Sequence, residues 1–326
     1  MPKPIWMPRW QSKRGGALKN SRDKPTALFR RTFMRYLLPR SVPLLLLILA
    51  AARADDPKAE PPVEQQPADA KAAKIVLIAG SNFLKPGEHE YVGGTGVLMD
   101  LLRQTPGVAP VLALDWPQKP ETLPGAKAVV FYFDGGDKHG ILKGDRVAAV
   151  QKLAAAGVGI VQLHQAADYP KDFGERVRGW AGGAWEKGYS QRAHWVADFK
   201  EFPEHPICRG VKPFKVDDGW LTKIRFVDGL AGVTPLLRTT APTAAKKSEG
   251  SEDVVAWAYE RPGGGRAFTF TGGHLHSSFA QEGYRRFLVN GILWSAGIDV
   301  PKDGAKVDLD SATLPTYLKK PPAKKP

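Results

Sequence analysis

Histidine marks four places in the chain where acid–base or metal chemistry can be assembled. GEHEY (87–91) carries His89 and Glu90, DGGDKH (134–139) carries Asp134 and His139, QLHQA (162–166) carries His164 and Gln165, and GGHLHS (272–277) carries His274 and His276. Imidazole titrates near neutrality and can take or give a proton, and a partly desolvated Glu90 is a competent base. Abstraction of a proton next to a carbonyl is one task such a set performs. Neutral imidazoles with a carboxylate also make a first shell for a divalent metal, with His89, His164 and His274 as the ligands if one is held. No H-E-x-x-H spacing is present, so any such ligands must be gathered by the fold.

The elements around these residues can do that gathering. Apolar runs KIVLIAG (74–80), VAPVLALD (108–115), AKAVVFYFD (126–134) and GVGIVQLH (157–164) are near-continuous, which suits parallel strands covered on both faces. Between them TGVLMDLLRQT and DRVAAVQKLAAAG space their apolar residues as helices, giving the order βαββαβ. Further on, TPLLRTT, DVVAWAYE and GRAFTFTG read as strands, the latter two joined through RPGGG as a hairpin, and EGYRRFLVNGILWSAG reads as a helix. In an open parallel sheet the loops after the strands share one crevice, and all four histidine sites follow strands.

The net charge of +14 invites a polyanion partner until it is partitioned. Twelve Lys/Arg against one acid in residues 1–54, together with four Lys in 318–326, account for fifteen positive charges and leave −1 for residues 55–317. A nearly neutral core has no footprint for nucleic acid. The apolar stretch 42–52, preceded by Arg35 and Arg40 and with small residues at Ala52 and Ala54, is too short to span a bilayer and reads as a secretory signal cleaved after Ala54, with translation starting at Met34. The expected organisation is therefore a signal region (1–54), a disordered linker (55–73), one domain (74–298) and a disordered Lys/Pro-rich tail (299–326), in a periplasmic or secreted bacterial protein. After cleavage no membrane span is expected.

The fragments KIVLIAG…KPGEHEY, VVFYFDGGDKH, GVGIVQLHQA, EHPICRGVKPFKVDDGW, VVAWAYERPGGGRAFTFTGGHLHSSF and FLVNGILWSAG occur in an order that resembles the ThuA-like (trehalose utilisation) family of the class I glutamine amidotransferase-like superfamily. The resemblance covers roughly residues 74–298. It implies a flavodoxin-like α/β fold, a mostly parallel sheet with helices on both faces, and a role in carbohydrate use with 3-keto disaccharides or glycosides as substrates. Where amidotransferases carry a nucleophilic cysteine at a sharp turn after a strand, this chain offers His164 or Gln165, so thiolate hydrolysis of glutamine is excluded. Where the family often has Asp-Glu before an aromatic, this chain has Asp217-Asp218-Gly219-Trp220, which keeps a carboxylate at Asp218 with a shorter reach.

The working site is then His89, Glu90, His164 and His274 for catalysis, with Asp134, His139, Gln165, Trp185 and Asp218 in contact with substrate. Trp180, Trp185, Tyr189 and Trp195 lie in an irregular stretch after Tyr169 that is expected to cover one end of the sheet; they offer either a stacking platform for sugar or ordinary core. GGTG at 93–96 lacks a phosphate-loop lysine and reads as close helix–sheet packing, and Cys208, the only cysteine, as a small buried apolar residue. Two functions remain open at this point: an exported enzyme acting on oxidised sugars, and a non-catalytic carbohydrate-binding or scaffold module.

Overall fold

The computed structural model describes residues 61–81, 85–242 and 252–318; the signal region and the extreme tail lie outside the described residues. In chain order the elements are β1 (Ala73–Ala79), α1 (Tyr91–Leu102), β2 (Val108–Leu114), β3 (Ala128–Tyr132), α2 (Arg146–Ala155), β4 (Gly159–Leu163) and β5 (Asp168–Tyr169). There follow α3 (Gly174–Ala181), β6 (Gly183–Glu186), β7 (Gln191–Phe199), β8 (Phe214–Thr222), β9 (Arg225–Phe226), β10 (Val233–Thr240), β11 (Glu252–Glu260), β12 (Arg266–Phe270) and α4 (Glu282–Ser295).

Seven strands form one sheet in the order β10-β11-β12-β4-β3-β1-β2. The five from β2 to β12 are parallel, with β11 and β10 added antiparallel at one edge. Read from β2, the parallel part has the 2-1-3-4-5 order of the flavodoxin-like fold, whose order reverses between β1 and β3. Alternation along β1 explains the two layers. Ile75, Leu77 and Ala79 join the core under α1 and α4, while Val76 and Ile78 join the core under α2 and α3. All five residues of β3 and of β4 are buried, as their unbroken apolar runs require.

GGTG lies inside α1, where it serves packing. A Cβ on Gly94 would stand 2.7 Å from the Tyr132 ring, and one on Gly93 would stand 2.5 Å from the Tyr317 carbonyl. The irregular stretch holds more order than its composition suggests: β7 and β8 form an antiparallel ribbon that buries Trp195, Ala197 and Phe199 against Phe214, Val216 and Trp220. Among the described residues no helix is long and apolar enough to cross a membrane.

Both flanking segments need correction. Residues 61–73 are not a free linker: Val63 bridges to Leu112 on the edge strand, and buried Glu64 accepts hydrogen bonds from the Gln118 and Lys119 amides and the Thr122 hydroxyl. Residues 299–318 are likewise packed, through buried Val300, Ala305, Val307 and Leu314. Asn290 on α4 accepts from the Ala305 amide, Arg285 donates to the Val307 carbonyl, and the Tyr317 hydroxyl donates to Asp100 on α1. A few widely spaced apolar residues and buried hydrogen bonds hold these straps, a pattern that mean composition hides.

Candidate functional site

The parallel strands β1, β3, β4 and β12 deliver the site. Their carboxyl ends lead into His89, Asp134, His164 and His274, and three of these side chains meet: one nitrogen from each of His89, His164 and His274 lies within 4.8 Å of the other two. His89 and His164 are buried and their Nε2 atoms are 3.2 Å apart; the His274 ring is partly exposed, with its centroid 4.6 Å from that of His89.

Backbone geometry makes this meeting possible. His164 turns sharply out of β4 at φ +54°, and His89 has φ +53°. A non-glycine residue in that region costs roughly 1–2 kcal/mol, so the surrounding structure must hold both. His164, and not Gln165, is therefore the residue at the elbow, the sharp turn that leaves β4. The His89 amide donates to the His274 carbonyl at 3.0 Å, tying the two loops together.

Each central imidazole is oriented from behind. His164 Nδ1 lies 3.1 Å from the Thr271 carbonyl, which only accepts. His89 Nδ1 lies 3.0 Å from the Tyr91 hydroxyl, whose own proton goes to Asp134 Oδ1 at 2.6 Å, and 3.4 Å from that carboxylate oxygen. Burial, with neighbouring His89, pushes His164 down to about 3, so it is neutral at ordinary pH. Burial and His89 also lower His274, which its Glu88 neighbour partly counters.

Asp218 sits beneath His274 and is fully buried. Its carboxylate accepts from the amides of Gly219, Gly273 and His274, each at 2.8 Å, and burial raises it to about 7 against those bonds. It shapes the His274 loop and does not present its oxygens to a substrate. Glu90 is buried at the start of α1, where Oε1 accepts from the Gly87 amide.

Other expected contacts lie elsewhere. His139 is buried between Phe133 and Tyr169, with Nε2 against the Ala166 carbonyl and Nδ1 accepting from the Ile141 amide, so both nitrogens are engaged away from the three histidines. Trp185 is core: its indole donates to the Gln191 carbonyl and Arg192 covers one face at 4.6 Å. Trp180, Trp195 and Trp220 are buried too, which leaves them as packing and not as a sugar platform. Gln165, half-buried, follows His164 directly.

Sequence reasoning missed several participants. Tyr91 relays His89 to Asp134; it closes the GEHEY motif, two positions after the histidine. His194, paired with Asp217 at 2.9 Å, brings a fourth imidazole to the rim, 5.6 Å from His274 between centroids. The alternation of β7 was the signal for it. Cys208 is half-buried away from the elbow, with its thiol pushed up to about 12 by burial.

The sequence profile of the family described as trehalose utilisation, ThuA, matches residues 84–295. Among solved structures, a ThuA-like protein from Parabacteroides merdae is similar at a TM-score of 0.52 and 18% identity, covering 74% of this chain and 99% of its own. A ThuA-like protein from Bacteroides uniformis gives 0.49 and 17%, covering 72% and 97%. A glutamine amidotransferase from Thermotoga maritima gives 0.37 and 10%, covering 70% and 97%. No curated protein matches the chain.

Proposed function

The chain belongs to the ThuA, trehalose utilisation, family, and from that premise we propose that it is an exported protein of carbohydrate use acting on 3-keto disaccharides or glycosides. The observation that carries the reading is the convergence of His89, His164 and His274 on one point at the carboxyl edge of the sheet. Export to a bacterial periplasm or medium belongs to the same proposal and rests on the apolar segment at 42–52 and the small residues at Ala52 and Ala54.

The chemistry is an elimination. A ketone at C3 acidifies the C–H at C2; a base takes that proton as the C–H bond breaks, and the electron pair is held as an enolate. Collapse of the enolate breaks the C1–O bond, and the departing oxygen takes a proton from an acid. Glu90 is the candidate base, and His274, partly exposed beside Glu88, is placed to trade protons with solvent. His164, held neutral with its ring proton on Nδ1 against the Thr271 carbonyl, offers the Nε2 lone pair and not a proton, so it can accept a proton but does not stabilise the enolate oxygen. Water addition to the resulting enone would complete a net hydrolysis.

The test is incubation of the purified protein with 3-ketotrehalose and related keto-glycosides, following released sugar by NMR. Turnover that His164→Ala abolishes supports the proposal. Binding without turnover on every keto-sugar tried overturns it in favour of a carbohydrate-binding module.

A further inference from the structure

We propose that His89, His164 and His274 form a binding site for a divalent transition metal of borderline softness, zinc foremost, with a further coordination position open toward His194 and the rim. The inference is independent of the keto-sugar reading, because it follows from where the ring protons are.

The Thr271 carbonyl can only accept, so His164 carries its proton on Nδ1 and its lone pair on Nε2. The Tyr91 hydroxyl has one proton and gives it to Asp134, so toward His89 it accepts, and Nδ1 of His89 carries the proton there. In the neutral rings both Nε2 atoms therefore present lone pairs, and they face each other at 3.2 Å. Two lone pairs at that distance repel unless a cation lies between the rings.

The spacing fits a metal ion. A tetrahedral site with metal–nitrogen bonds of about 2.0–2.1 Å has nitrogen–nitrogen edges of about 3.3–3.4 Å. His89 and His164 already stand near such an edge. His274 is within 4.8 Å, and its partly exposed ring can rotate inward while its backbone stays tied to Asp218 and His89. An all-imidazole set suits zinc, cobalt or nickel and not magnesium or calcium, which take oxygen ligands. The Tyr91 and Asp134 relay behind His89, and the carbonyl behind His164, are the outer partners that ligating histidines commonly have. Three nitrogen ligands leave a place for water or a substrate oxygen, where a metal would polarise a carbonyl.

The experiment uses the full chain, purified without chelator and with any affinity tag removed, dialysed against zinc and then against metal-free buffer. Mass spectrometry of the metal should count about one zinc per chain. Cobalt in its place should give the intense visible absorption of a four-coordinate centre. The His89→Ala/His164→Ala double variant and His274→Ala, each checked for folding by circular dichroism, should lose the zinc and the cobalt band. Asp134→Asn should bind zinc about 10–100-fold more weakly. A folded parent that retains no zinc overturns the site, as does full zinc retention by a folded double variant. A proton shared between the two Nε2 atoms, seen by NMR in zinc-treated protein, also overturns it. None of these readouts needs a sugar, so a zinc-loaded chain inert toward keto-sugars would overturn only the substrate reading.

Discussion

The Nε2 atoms of His89 and His164 lie 3.2 Å apart although the residues are separated by 75 positions, and neither ring can swing away without giving up the partner behind its Nδ1. β1 and β4 are not neighbours in the sheet; β3 lies between them, so the contact spans the point where the strand order reverses. It is made by side chains leaving two left-handed turns toward each other. The dependence of function on this pair can be measured directly.

His164→Ala and His274→Ala should abolish turnover of keto-sugars while the folded circular dichroism spectrum is kept, because both rings stand on loops held by rigid strands. Cys208→Ser should leave kcat/KM unchanged, since a thiol pushed up to about 12 offers no thiolate at neutral pH. A Cys208→Ser variant as inactive as His164→Ala would remove the histidines from their central place.

Much of this arrangement was legible in the sequence. Unbroken apolar runs mark β1, β3 and β4 because both faces of each are covered, and strand-end convergence brings His89, His164 and His274 together. What stayed hidden has particular reasons. His139 follows β3 and Asp218 lies within β8, but their burial depends on neighbours far along the chain, Tyr169 in one case and the 273–274 amides in the other. His194 was obscured because the alternation of β7 was not separated from the glycine-rich text before it. The straps at 61–73 and 299–318 bury single residues at long intervals, which no periodicity reveals.

Strain at the elbow gives a stability prediction that has nothing to do with catalysis. At φ +54° a Cβ is disfavoured by roughly 1–2 kcal/mol, whereas glycine is at ease there. His164→Gly should therefore be at least as stable as His164→Ala in urea denaturation, despite the greater entropy of glycine in the unfolded chain. A glycine variant less stable than the alanine variant by a full kcal/mol would show that the turn is not strained.

Glu90→Gln separates two roles for that carboxylate. Glu90 does not belong to the metal-competent set of histidines and spends one oxygen on the Gly87 amide. As the general base it should lose about 10²–10⁴-fold in kcat with KM little changed and with bound zinc undiminished. Loss of zinc together with rate, restored by added metal, would instead make Glu90 a ligand and displace it as base.

Two buried groups of opposite sign, His139 and Asp218, contribute to the response of stability to pH alongside other shifted groups such as His164 and Asp168. Burial lowers His139 from its ordinary 6.5 to about 4, so the folded state favours its neutral form; the stability this gives is fully present above pH 6.5 and is lost as pH falls toward 4. Burial raises Asp218 from its ordinary 3.8 to about 7, so its contribution is present below pH 3.8 and is lost as pH rises through 7. Between pH 4 and 6.5 the two oppose each other, each worth up to about 1.4 kcal/mol per pH unit. Removing one should expose the other: His139→Phe should make urea stability fall less steeply on acidification than in the parent, and Asp218→Asn should make it fall more steeply. The slopes are compared within each variant, so an overall loss of stability does not disturb the test. Parallel slopes in all three proteins would mean that neither group changes its proton affinity on folding.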